Sequence, residues 1–271
     1  MVVTGGTSGI GRATAHALGA AHARVVLAVR NVEKGAEVAA GMPGETLVRG
    51  VDLSDLESIR RFATAWDEPI DVLINNAGVS TPSLSRTADG FEMQLGTNHL
   101  GPFALTNLLL PQISGRVVSL SSQAERMGKL DFDDLNFEHR PYKEGAAYAA
   151  SKLANLLFIA ELQRRLTASG SPVTAVAAHP GLVATSMTDQ ATGVGRLLTR
   201  MLAQAPEDGA LPVLLAATAD LPGASFTGPE HLMHMRGGAE VIKRSARARD
   251  AALAARLWTV SEELTGVRFP L

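Results

Sequence analysis

Thr4-Gly5-Gly6-Thr7-Ser8-Gly9-Ile10-Gly11 stands between a short apolar run, Met1 to Thr4, and a segment with helical apolar spacing at Ala15, Leu18 and Gly19. A strand that turns through glycines into a helix N-terminus makes a cradle for a pyrophosphate. Glycine takes the unusual dihedrals, its missing side chain lets phosphate reach the backbone amides, and the helix dipole favours negative charge. Glycines at 5, 9 and 11 also suit a plain strand-to-helix turn, so the loop takes its meaning from its surroundings. It opens an alternation in which Arg24 to Val29, Thr46 to Val51, Ile70 to Asn75, Arg116 to Ser121 and Pro172 to Ala178 read as strands between longer helical patterns. These strands are apolar almost throughout, which predicts an α/β fold: a doubly wound parallel sheet, helices on both faces, ligands beyond the strands' carboxyl ends.

No Pro/Gly/Ser-rich tract or long charge run interrupts the 271 residues, so one domain over 1–271 is expected. With 25 basic and 27 acidic residues the net charge is -2, too balanced for bulk-charge binding of nucleic acid or an anionic membrane; the expected partner is a small molecule. The absence of cysteine excludes disulfides, thiolate metal sites and cysteine nucleophiles, so redox chemistry needs a cofactor. The glycine loop at residue 5 leaves no room for a signal peptide. The longest apolar runs, Leu211 to Ala219 and Leu153 to Ala160, are far short of the ~20 residues that span a bilayer. A cytoplasmic location is the expectation.

Ser54, with Glu57 three residues on and a Leu56, Ile59, Phe62, Ala63 stripe, reads as a capping box. Glu144 to Leu166 has the spacing of a long buried helix, so what its start presents is rigidly placed. There Tyr148 and Lys152 stand four apart, hence one turn apart on one face. A free phenol has a pKa of ~10 and is a poor base at pH 7; a nearby ammonium favours the phenolate, and Lys152 is the expected source. Ser122 ends a buried strand where a hydroxyl reaches a ligand, or caps a turn.

Three motifs carry a resemblance: the TGxxxGxG loop, Asn75-Asn76-Ala77-Gly78 after the fourth strand, and Tyr148-Ala149-Ala150-Ser151-Lys152. Together they resemble the short-chain dehydrogenase/reductase family over nearly the whole chain. Tyr148 to Arg165, His179-Pro180-Gly181 and Arg256 to Ser261 are similar to the branch with retinol dehydrogenases and bacterial relatives. The resemblance implies a Rossmann fold and an oxidoreductase in which Tyr148 is the general acid/base. By the same resemblance Lys152 also binds the nicotinamide ribose, Ser122 binds the substrate oxygen and Asn98 holds a water in a proton relay. It further implies cofactor contacts at Gly5, Thr7, Ser8, Gly9, Ile10, Gly11, Asp52, Leu53, Asn75, Ala77, Gly78, Pro180, Gly181, Val183 and Thr185, with Asp52 at the adenine. Tyr148 follows Ser122 by 26 positions, about twice the spacing of many members, the extra stretch being Lys129 to Arg140; this leaves Ser121 as the alternative to Ser122. Homo-oligomerisation is left open.

The second strand ends in Val29-Arg30. A carboxylate there would select NAD(H) by binding ribose hydroxyls and repelling a 2′-phosphate; by resemblance that position is Val29, and Arg30 can grip phosphate in a bidentate way. NADP(H) is therefore the expected preference, with NAD(H) as second cofactor, although Ser8 stands where NADP-using relatives often carry another basic residue. Ser186 to Gln204 lies where the family places its substrate lid, near 186–205, and its Met187, Val194, Leu197, Leu198, Met201 and Leu202 predict an apolar alcohol, ketone or aldehyde as substrate. His231 and His234 lack a third ligand at metal spacing, and Lys243, Arg244, Arg247 and Arg249 read as a solvated helix face. The rival reading is a catalytically silent dinucleotide sensor on the same fold.

Overall fold

A computed structural model of the chain describes residues 1–183 and 203–271. One sheet of eight strands has the order β3-β2-β1-β4-β5-β6-β7-β8. The parallel strands are β1 (Val2–Thr4), β2 (Val25–Val29), β3 (Thr46–Gly50), β4 (Ile70–Asn75), β5 (Ile113–Leu120), β6 (Thr174–Ala178) and β7 (Phe226–Gly228). Antiparallel β8 (Glu240–Val241) closes one edge. The strand order reverses between β1 and β4, so a crevice opens beyond their carboxyl ends.

Alternation along the strands divides the core in two. Val2, Val26, Leu73 and Val117 face one side, where α3 (Leu56–Thr64), α5 (Gly101–Leu109), α6 (Glu144–Ala168) and α8 (Ala251–Thr265) pack. Their neighbours Val3, Leu27, Ile74 and Val118 face the other, against α1 (Gly9–Ala20) and α7 (Pro206–Thr218), with α2 (Val32–Ala40) alongside. On the first side Phe103, Phe158 and Trp258 form one aromatic stack, with Trp258 4.9 Å from the Phe103 centroid. The Trp258 indole donates to Glu262, so its polar tip is also satisfied.

Several expectations are corrected. The cap of α3 is Asp55, whose carboxylate accepts from the Glu57 and Ser58 amides; Ser54 instead bonds Asp52. β5 starts three residues earlier than the apolar run suggests and stops at Leu120. β7 and β8, too short for a periodic signal, complete the sheet. Lys243, Arg247 and Arg249 are exposed, but residues 243–249 hold only one short helical turn, Arg247–Arg249: Ser245 bonds the buried Glu125 carboxylate, Arg247 donates to the Gly128 carbonyl, and α8 begins at Ala251. They fasten the turn that follows Ser122. The short β1 is held on both sides by β2 and β4. Among the described residues no helix is long and apolar enough to cross a membrane. The expected lid, 186–205, lies outside the described residues except for Ala203, Gln204 and Ala205.

Candidate active site

A cleft of about 520 Å³ runs along the carboxyl ends of the strands. Its floor is the first loop, through Gly5, Thr7, Ser8, Gly9, Ile10 and Gly11. Gly5 and Gly9 have φ of 68° and 50°, where a side chain is strained. A Cβ on Gly11 would collide with the Asn76 carboxamide and the Gly5 carbonyl. Ser8, at the N-cap of α1, makes no side-chain cap and the first turn holds no acid, so the free amides and positive dipole end are open to an anion. These features fit a dinucleotide pyrophosphate.

Thr4 and Asn76 hold that loop to the end of β4. The Thr4 hydroxyl accepts from the Asn76 and Ala77 amides, both at 3.0 Å, and the Asn76 carboxamide donates to the Thr4 carbonyl at 2.8 Å. Asn76, Ala77 and Gly78 line the cleft. Asn75, expected there, does not: the pleat turns its side chain into the core, where it donates to Thr106. At the far end Val51, Asp52 and Leu53 line the wall, and Asp52 Oδ1 is already bonded to Ser54. Arg30 is beside the same end, and so is Lys34, which the sequence reading missed. The signal was present: Asn31 caps α2 by accepting from the Lys34 amide, which sets Lys34 in the first turn.

At the other end of the cleft are Tyr148, Lys152, Ser121 and Pro180. Tyr148, Ser151, Lys152 and Asn155 share one face of α6. Ser121 donates to the Lys152 carbonyl at 2.8 Å, whereas Ser122 is the serine near enough to the Tyr148 phenol to lower its pKa. It also caps the following turn by accepting from the Ala124 amide, as the turn-cap reading of Ser122 has it. Lys152 Nζ lies 5.5 Å from the Tyr148 ring centroid and donates to the Leu120 carbonyl at 3.3 Å. Burial raises the phenol above the ordinary tyrosine value and the Ser122 bond draws it partly back. The expected lowering of the phenol by Lys152 is thus not found; burial pushes Lys152 itself down to about 8.

Asn98 sits in a π-turn (Gly96–Leu100) between α4 (Met93–Leu95) and α5. Such one-turn widenings occur at functional sites because they re-aim a side chain. Its Oδ1 accepts from the Val79 amide at 2.7 Å and its Nδ2 donates to the Val79 carbonyl and to Ser151 Oγ, each at 3.0 Å. Ser151 in turn donates to the Tyr148 carbonyl at 2.8 Å. Asn98 thereby clamps the loop after β4 to the Tyr148 turn. A side chain on Gly78 would crowd Asn98 Oδ1 at 3.2 Å and Lys152 Nζ at 3.5 Å. Gly181 (φ 78°), packed against the Met235 carbonyl and Pro229, and Val183, which bridges Gln204, do not line the cleft; Thr185 is outside the described residues.

An anion cradle leading to a half-buried tyrosine and serine and a buried lysine defines a dinucleotide-dependent oxidoreductase. Residues 1–193 match the family model for short chain dehydrogenase, and the chain belongs to that family. It is 40% identical to human retinol dehydrogenase 13 over 100% of this chain and 85% of that protein, and 41% identical to human retinol dehydrogenase 11 over 98% and 86%. A crystal structure of a protein from Mycobacterium Paratuberculosis superposes with a TM-score of 0.88 at 48% identity, covering 100% of this chain and 94% of the other. A short chain dehydrogenase from Burkholderia cenocepacia J2315, in complex with NADP, gives 0.63 at 25% identity over 80% and 89%. The chain is thus an NAD(P)-dependent oxidoreductase similar to retinol dehydrogenases.

Proposed function

We propose that this chain is one NADP(H)-preferring domain that interconverts apolar alcohols with their aldehydes or ketones, with Tyr148 as general acid/base. The observation that carries the reading is the continuity of the cleft, from Arg30 and Lys34 through the glycine loop to Tyr148 and Lys152. The cofactor supplies hydride transfer at the substrate carbon. The Tyr148 hydroxyl gives its proton to the carbonyl oxygen in reduction and takes it from the alcohol in oxidation, with Ser122 bonding the same oxygen. Lys152 holds the ribose hydroxyls and, when protonated, favours the phenolate. Arg30 and Lys34 meet a 2′-phosphate with two cations and no carboxylate at Val29 to repel it. The apolar substrate class is supported by the retinol dehydrogenases the chain resembles.

The test is a panel of carbonyl compounds, from long-chain and isoprenoid aldehydes to small charged keto acids, incubated with purified protein and NADPH or NADH. Consumption of NADPH with the apolar aldehydes is expected. Turnover confined to charged acids would overturn the substrate class, equal use of NADH the cofactor preference, and NADPH binding without turnover would favour a silent sensor.

A further inference from the structure

Gln204 is 2% exposed, and the two ends of its carboxamide have different partners. Nε2 donates to the Pro180 carbonyl at 2.8 Å, and Oε1 accepts from the Gly237 amide at 3.0 Å. A carbonyl only accepts and a backbone amide only donates, so the carboxamide fits this place in one orientation. Its backbone is held as well: the Gln204 amide donates to the Leu182 carbonyl at 2.8 Å, and the Leu182 amide donates to the Met235 carbonyl at 2.9 Å. The bracket is tight. A Cβ on Gly181 would come within 2.5 Å of the Met235 carbonyl oxygen and 3.0 Å of Gln204 Nε2.

The turn that supplies Met235 and Gly237 is strained. Leu232, Met233 and His234 have φ of 51°, 54° and 65°, the left-handed region in three successive residues other than glycine. Leu232 and Met233 are exposed, so burial of their side chains does not call for this backbone. Such strain persists where the surroundings hold it, and it concentrates at functional sites. What the turn delivers inward is main chain, the Met235 carbonyl to Leu182 and the Gly237 amide to Gln204. At the other end of the Gln204 carboxamide, Pro180 lines the cleft together with Tyr148 and Lys152.

We propose that Gln204 is a positioning residue for the reactive end of the cofactor: its carboxamide bridges Pro180 to the strained turn and so sets the cleft wall beside Tyr148 and Lys152. The inference rests on the dinucleotide reading of that cleft. Glutamate at 204 would keep the bond from Gly237 but set a carboxylate oxygen against the Pro180 carbonyl, and methionine would keep the bulk and neither bond. A hydrogen bond of ordinary strength holds such a wall in place by about tenfold, and without it the fraction of molecules competent to bind falls by up to that factor.

Titrations of the whole chain with NADPH and with adenosine 2′,5′-bisphosphate, which has the phosphate end of the cofactor and no nicotinamide, separate this role from a general packing effect. Gln204→Glu and Gln204→Met should each weaken NADPH roughly 10-fold and leave the bisphosphate unchanged. Unaltered NADPH affinity in Gln204→Glu, or equal losses for the two ligands, would overturn the proposal. The bridge itself is read without any ligand by hydrogen exchange at the Gly237 amide, expected to be slow in the wild type and in Gln204→Glu and fast in Gln204→Met. Fast exchange in the wild type would refute it. If the wild type bound neither ligand, the dinucleotide reading would fall and the role with it, whereas unaltered variants of a wild type that binds both would remove the role alone.

Discussion

At the residue scale two side chains of the site have acidities shifted by burial, in opposite directions. Tyr148, raised by burial and eased by Ser122, keeps its proton at neutral pH, as the proposed general acid must. Tyr148→Phe should keep NADPH affinity and lose at least ~100-fold in kcat, the size of a general acid-base contribution; steady-state kinetics beside a binding titration check both halves. Lys152, lowered to about 8, loses its charge within an accessible range. On the proposed ribose role, the ammonium present below that value would bind the hydroxyls more tightly than the neutral amine above it, so NADPH affinity should fall as pH rises through about 8 and should be flat there in Lys152→Ala. In the proposed cofactor preference Arg30 supplies the selection. A charge-assisted phosphate bond is worth ~1.5–3 kcal/mol, so Arg30→Ala should weaken NADPH roughly 10- to 150-fold and leave NADH little changed. Equal losses for the two cofactors would remove Arg30, and the preference argued from it. Tyr148 and Lys152 were readable because helix geometry converts a spacing of four into proximity. Asn155, three further on, carried the same signal: one amide among Leu153, Ala154, Leu156 and Leu157.

At the element scale, strand and helix order was legible because buried parallel strands are apolar on both faces and helices are not. What escaped was phase and termination. Ser54 and Asp55 are both good caps, and only the position of Asp52, which engages Ser54, decides between them. Asp55→Ala should cost ~1 kcal/mol by chemical denaturation, within the usual range for a lost N-cap. Ser54→Ala should leave the start of α3 intact, and the reverse result would reinstate the capping box. Asn75 and Asn76 are likewise equal as text; the pleat of β4 sends one into the core and the other to the glycine loop. The π-turn has no signature of its own, since Gly96 to Leu100 has no residue pattern that an α-helix would refuse.

At the scale of the whole molecule, the cleft joins parts distant in sequence, so ligand binding and folding are linked. NADPH at 100 times its Kd should stabilise the chain by ~2.7 kcal/mol, which for a domain of this size corresponds to roughly 5–10 °C in melting temperature. NADH at the same concentration should give a smaller shift, and equal shifts in a melting series would argue against the preference for NADP(H). The π-turn has a further consequence for how the chain can change over evolution. An α-helix advances by 100° per residue, so the widened turn sets the rotational phase of α5 relative to everything before it. Removing a single residue between Gly96 and Leu100 would restore an unbroken α-helix with regular backbone bonding, yet swing Asn98 away from Val79 and rotate the buried face of α5. Length in this short stretch is therefore inherited as a fixed count: substitutions can be absorbed one at a time, whereas an insertion or deletion has to arrive with a rebuilt core.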